Sequence, residues 1–147
     1  MWCYTGVVIV RAVVDTNVVF EGLTKKGGAA GLVVDAWLAG LFQPCVSNAL
    51  AYEYLDVLAR KLSPARWQVI QPVLGTMLSE AIFIPTYFSW RPNSPDPADE
   101  HVVDSAMNAG AALITFNLKD FRNAIAVLHL VVITPVEFVH YLTEVYP

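Results

Sequence analysis

Val7-Val8-Ile9-Val10-Arg11-Ala12-Val13-Val14, followed at once by Asp15-Thr16-Asn17, is the stretch from which the rest of the chain is read. Its β-branched run predicts a buried first strand over residues 7–14, interrupted only by Arg11 and Ala12. The polar triplet behind it reads as a turn or helix start, with Thr16 and Asn17 both suited to capping. An acid therefore stands where an apolar strand gives way to a helix.

Outward from that junction the pattern repeats. Residues 29–39 have helical spacing, with Leu32, Val33, Ala36 and Trp37 on one face and Gly40 at the C-terminal end. Residues 42–46 resemble a short strand, and Ser47 and Asn48 can cap a helix over 49–61. Ser63-Pro64 opens a helix over 65–79, with a kink or break expected at Pro72. Residues 81–85 read as a strand and 87–98, with Pro92, Pro95 and Pro97, as an extended loop. Residues 99–109 read as a helix stopped by Gly110, and 112–115 and 131–134 as strands. Pro135 starts a last helix over 136–142. Strands alternating with helices predict a three-layer α/β sandwich around a mainly parallel sheet, one domain over residues 1–147.

Composition narrows the class. The chain is 56% hydrophobic and 15% charged, with a mean hydropathy of +0.50. That is richer in apolar residues than a typical domain, and surplus apolar surface predicts self-association, with a homodimer as the first expectation. No apolar stretch reaches the roughly 18 residues of a spanning helix, and no basic start precedes the first apolar run as in a signal peptide. Cys3 and Cys45 are too few for a disulfide framework and read as buried thiols in a reducing cytoplasm. Nine basic residues face thirteen acidic ones, for a net charge of −4. A generic basic nucleic-acid binder is thereby excluded. A phosphate substrate stays compatible only where bound metal ions reverse the local charge.

The acids are scattered along the chain in a telling way. Asp15 ends the first strand, and Asp120 follows Leu113-Ile114-Thr115-Phe116-Asn117-Leu118-Lys119. Asp99 opens a helix after Pro95-Asp96-Pro97-Ala98, and Glu53 lies within an early helix. Taken singly, each reads as a helix cap or a solvated charge. Ligand sites in parallel sheets form beyond the carboxyl ends of the strands, where one crevice can collect all of them. Carboxylates are the ligands of hard cations, so the group suggests metal-assisted phosphodiester hydrolysis. Asp96 reads as a turn residue. Asp104 lies five residues after Asp99 and His101 two, both on other faces of a regular helix. His129 and His140 read as surface or packing residues. Lys25, Lys26, Lys119 and Arg122 are the candidates for phosphate contacts. No serine is placed as a nucleophile, and Gly27-Gly28 lacks a phosphate-loop pattern.

Val13-Val14-Asp15-Thr16-Asn17-Val18 resembles the opening motif of PIN-domain ribonucleases. Leu50-Ala51-Tyr52-Glu53-Tyr54-Leu55-Asp56-Val57-Leu58 resembles their helix with the second acid. Residues 95–101 with 106–111 resemble the third motif, and Thr115-Phe116-Asn117-Leu118-Lys119-Asp120-Phe121 the fourth. The likeness extends to Thr134-Pro135-Val136-Glu137-Phe138 and is nearest the toxin components of toxin–antitoxin pairs.

That resemblance implies an endoribonuclease with an RNA substrate, an antitoxin partner and one or two Mg²⁺ or Mn²⁺ ions. It implies Asp15, Glu53 and Asp99 as catalytic metal ligands, oriented by Thr16, Asn17 and Thr115. Many PIN domains carry Asp where this chain has Asn117. Asn117 and Asp120 are expected to share that fourth corner as ligands, with Asp120 the catalytic acid of the two. The alternative is a catalytically weak PIN-like module acting through protein–protein contacts.

Overall fold

The computed structural model describes residues 2–4, 7–85 and 100–147 and, of the side chains, those from residue 10 onward. The loop expected over 87–98, together with Asp96 and Asp99, lies outside the described residues.

Arg11–Val14 (β3) is the middle strand of a five-stranded sheet with Gln43–Val46 (β4), Ile82–Phe83 (β5), Ala112–Ile114 (β6) and Val132–Ile133 (β7). The order is β5-β4-β3-β6-β7, and every pairing is parallel. Around it lie helices Thr16–Thr24 (α1), Gly28–Leu38 (α2), Asn48–Lys61 (α3), Pro64–Glu80 (α4), Glu100–Ala109 (α5), Arg122–Leu128 (α6) and Pro135–Val145 (α7). The mainly parallel α/β sandwich expected from the sequence is therefore found. Ala12, Val13 and Val14 are almost completely buried, as a strand covered on both faces requires.

The run 7–14 is not one strand. Trp2–Tyr4 (β1) and Val7–Ile9 (β2) form a separate antiparallel pair, and only Arg11–Val14 joins the parallel sheet. The break falls at Val10, just before the Arg11 interruption, but the apolar pattern on either side carries no mark of which partner each half takes. Pro72 does not break α4, which runs from Pro64 to Glu80. Pro72 is exposed and sits in a long helix begun by the Ser63 cap, which continues through it despite the missing backbone bond. Strand β1, a 3-10 turn at Leu118–Phe121 and helix α6 have no counterpart in the sequence reading. The C-cap of α6 is His129 in the left-handed region, φ 57°, where glycine is the usual signal.

Trp37 anchors the packing beneath α2 and α3. It meets Phe42 and Tyr54 edge-on at 6.2 and 6.4 Å, and its indole N–H donates to the Met77 carbonyl at 2.9 Å. Gly22 lets α1 approach α2: an added Cβ there would lie 2.5 Å from the Ala30 carbonyl oxygen. Cys45 is a buried thiol, as expected, with its pKa pushed up to about 11 by burial. Among the described residues no helix is long and apolar enough to cross a membrane.

Candidate active site

The C-terminal ends of β3 and β6 lie side by side, and the ladder continues one bond past them, Asp15 N–H to the Ile114 carbonyl at 2.9 Å. Asp15 is thus fixed at the sheet's carboxyl edge. It also caps α1 itself, its Oδ1 accepting from Thr16 N–H at 2.8 Å. Of the three residues suited to the cap, Asp15, Thr16 and Asn17, it is the acid that takes it, and it stands at the cleft as well. The other oxygen, Oδ2, accepts from the Thr115 hydroxyl at 2.8 Å, and that hydroxyl oxygen accepts from Asn117 N–H at 3.1 Å. Thr115 is fully buried and Asp15 nearly so.

Helix α3 brings the second acid. Its N-cap Ser47 accepts from Leu50 N–H at 3.1 Å, and Leu50, Tyr54 and Leu58 form its buried face. The Tyr54 hydroxyl donates to the Val14 carbonyl, which ties α3 to the residue just before Asp15. Glu53, one residue earlier, therefore faces the same edge. Its Oε1 accepts from the Thr16 hydroxyl at 2.6 Å, and its Oε2 lies 2.5 Å from His101 Nε2 on α5. The chain Thr115–Asp15–Thr16–Glu53–His101 joins β6, β3, α1, α3 and α5.

A cleft of about 240 Å³ opens over these groups, lined by Asp15, Thr16, Asn17, Phe20, Glu53, Val57, Lys61 and Asn117. Burial raises the Asp15 pKa above the usual carboxylate value, helped by the Glu53 charge, although the Thr115 and Thr16 bonds and the His101 ring oppose it. Burial also pushes Glu53 upward, but its bonds to His101 and Thr16 prevail and its pKa is lowered. The two acids are held in opposite senses, as expected for one more enclosed than the other.

Most of the sequence candidates converge. Asp15, Thr16, Asn17, Glu53 and Asn117 line the cleft, and Thr115 supports it from beneath. Asp120 sits half-buried in the 3-10 turn, outside the residues that line the cleft. Asp99 lies outside the described residues, two positions before His101. Asp104 is buried in α5. Lys25, Lys26, Lys119 and Arg122 are exposed and away from the cleft, and Lys25 pairs instead with Glu21 at 2.9 Å. The cation that lines it is Lys61, its Nζ 5.4 Å from the Phe20 ring centroid. The signal for it was present: Glu53, Val57 and Lys61 are spaced i, i+4, i+8 and share one stripe of α3. His101, read as pointing elsewhere, meets Glu53 from a different helix, and no local spacing reveals that.

The donor set suits a hard divalent cation. Asp15 and Glu53 supply carboxylate oxygens, and Asn17 Oδ1 is buried with no hydrogen-bond partner among the described residues. A buried acceptor of that kind is normally satisfied by water or an ion. Among the described residues no group of three or more His, Cys, Asp or Glu is gathered for metal binding.

A family model described as PIN domain matches residues 11–119. The chain belongs to the PIN-domain family. Proteins of that family are generally nucleases and typically use divalent metal ions. No curated protein matches the chain. VapBC2 from Rickettsia felis, solved bound to a promoter DNA fragment, is similar at TM-score 0.60 and 15% identity, over 85% of this chain and 98% of that one. FitAcB from Neisseria gonorrhoeae gives 0.59 at 16% identity, over 85% and 98%. PAE2754 from Pyrobaculum aerophilum gives 0.56 at 16%, over 96% and 94%. At such identities the likeness speaks to the fold, and it confirms the PIN architecture.

Proposed function

We propose that this PIN domain is a Mg²⁺- or Mn²⁺-dependent endoribonuclease, the toxin of a toxin–antitoxin pair. The observation that carries the proposal is the placement of Asp15 and Glu53. Two acids distant in sequence are linked through Thr16, whose backbone N–H donates to Asp15 and whose hydroxyl donates to Glu53, on the edge of one cleft. A nearly buried, raised-pKa carboxylate beside a second carboxylate is costly for folding alone. A bound dication turns that cost into affinity.

A divalent cation, when bound, neutralises phosphate charge and acidifies water. The chain's own groups do the rest. Asp15 and Glu53, with Asp99 as the third acid, provide the negative charge that would hold the ion, and Asn17 and Asn117 offer neutral oxygens. Asp120, outside the residues that line the cleft, is kept as a candidate ligand. The Thr115 hydroxyl and the Thr16 N–H fix the Asp15 carboxylate by one bond to each oxygen, which is how outer groups hold ligands in orientation. Lys61 supplies a point charge for the RNA backbone at the cleft wall.

The RNA substrate and the antitoxin partner rest on the sequence resemblance. VapBC2, named above, was solved on promoter DNA, which agrees with a toxin–antitoxin setting. Exposed Tyr52 and Leu55 on α3 offer apolar surface to an antitoxin or a second copy in the cytoplasm. A non-catalytic binding module is the second reading, favoured by uncharged Asn117 on the cleft wall. Incubation of purified chain with RNA and Mn²⁺ tests between them. Cleavage that requires the cation and is abolished by Asp15→Asn supports the nuclease. Equal activity in wild type and Asp15→Asn refutes it.

A further inference from the structure

The network ends on a residue to which the family resemblance assigns no role. His101 is the second residue of α5, and its Nε2 lies 2.5 Å from Glu53 Oε2. Its other nitrogen, Nδ1, is buried and has no hydrogen-bond partner among the described residues. Among those residues, the ring's hydrogen bonding is directed wholly at Glu53.

Glu53 needs such a hold. Its side chain is 33% exposed, has three rotatable bonds, and sits on a helix face next to exposed Tyr52 and Asp56. It also faces the charge of Asp15, which repels it. Left to itself, an acid of this kind gains entropy and hydration by swinging into water. Thr16 holds one carboxylate oxygen at 2.6 Å and His101 the other. The two donors come from different helices, α1 and α5, and between them set both the rotation of the carboxylate and its distance from Asp15.

We propose that His101 is a positioning residue for the divalent-cation site, locking the Glu53 carboxylate into the rotamer that faces Asp15. The proposal rests on the cation reading above. It requires a donor at the Nε2 position and nothing else of the imidazole. Gln can place an amide N–H near where His places Nε2, whereas the shorter Asn reaches only the Nδ1 position.

The test is Mn²⁺ binding to the full chain at one neutral pH, read by the electron paramagnetic resonance of free Mn²⁺ and by the Mn²⁺-induced rise in Tm. Cooperative melting is checked for every variant. His101→Asn is expected to weaken Mn²⁺ binding roughly 10-fold or more, the usual scale for loss of a group that orients a ligand. His101→Gln is expected to stay close to the wild type. On a Glu53→Gln background, His101→Asn should add no further loss, because its effect passes through the carboxylate. Wild-type affinity in His101→Asn overturns the proposal, as does equal loss in the Gln variant or full additivity on Glu53→Gln. Asp15→Asn separates the two levels. If it binds Mn²⁺ as the wild type does, the cation reading falls and takes this role with it. If Asp15→Asn loses the ion while His101→Asn keeps it, the positioning role alone is wrong.

Discussion

Gly22→Ala sets two magnitudes against each other. Gly22 lies inside α1, where alanine is favoured over glycine by about 1 kcal/mol, so helix propensity alone predicts stabilisation. The new Cβ, however, would stand 2.5 Å from the Ala30 carbonyl oxygen and 2.6 Å from Val34 Cγ2 on α2. The first contact is about 0.9 Å short of ordinary packing at 3.4 Å, and its partner is backbone, so a whole helix has to give. Overpacking of this kind costs about 1–3 kcal/mol, which after the propensity gain leaves a net loss of up to roughly 2 kcal/mol, and a deficit of about 1–3 kcal/mol against a glycine-to-alanine change that meets no clash. For a chain of this size the net loss lowers Tm by up to about 8 °C. Gly31→Ala in α2 and Gly75→Ala in α4 are the controls, since an added Cβ meets nothing within 4 Å at either; both should hold or raise Tm. Thermal melts followed by circular dichroism read all three. A Gly22→Ala variant as stable as its controls would show that α1 does not sit this close to α2. Because Thr16 and Asn17 start α1, Mn²⁺-dependent cleavage should also fall in Gly22→Ala and be unchanged in the controls.

Further outcomes follow from the site. Asp15→Asn, without divalent ions, should raise Tm at neutral pH: burial lifts the folded-state pKa, so the ionised acid costs stability there. That gain should shrink as pH falls and vanish below the unfolded value of 3.8, where Asp15 is protonated in both states; a gain that persists there would contradict the cause given. Glu53 has the opposite sign, and its lowered pKa contributes stability above its unfolded value of 4.5 that is lost as pH falls through the folded one. Wild type should therefore lose more stability than Glu53→Gln on acidification, as urea melts at a series of pH values would report. Thr115→Val strips the donor from Asp15 Oδ2 and the acceptor from Asn117 N–H. A loss of about 1–3 kcal/mol is expected, and an unchanged melt would discount the bond. Lys61→Met should raise KM for RNA while leaving kcat alone, with at most about 1 kcal/mol lost from the Phe20 contact; an unchanged KM would remove Lys61 from the substrate path.

Helices α2, α3 and α5 and the strands of the sheet were readable because each carries a periodic apolar face and a terminal signal in its own residues. Ser47, Ser63 and Thr134 cap α3, α4 and α7 in the structure, and Gly110 ends α5 at φ 61°. Helix α6 escaped because its end is marked by a left-handed histidine and its start by a 3-10 turn, neither of which has a clear residue signature. The split of residues 7–14 escaped because pairing partners are not written into a strand. The acids Asp15 and Glu53 were legible as candidates, and Lys61 was recoverable from the helical stripe it shares with Glu53. His101 was not, because helical spacing measures its angle to Asp99 and says nothing of a side chain on α3.

What the sequence determined alone was the alternation of strands and helices, the parallel sheet that follows from it, and the acids that stand near strand ends. These depend on backbone preference and local burial, which act over a few residues. What only the tertiary structure decided was which groups meet: Tyr54 on the Val14 carbonyl, Thr115 beneath Asp15, Lys61 rather than Lys25 at the cleft, and His101 on Glu53. Hydrogen bonds form at about 3 Å, and that distance between residues 37 to 100 positions apart is set by how helices pack on a sheet.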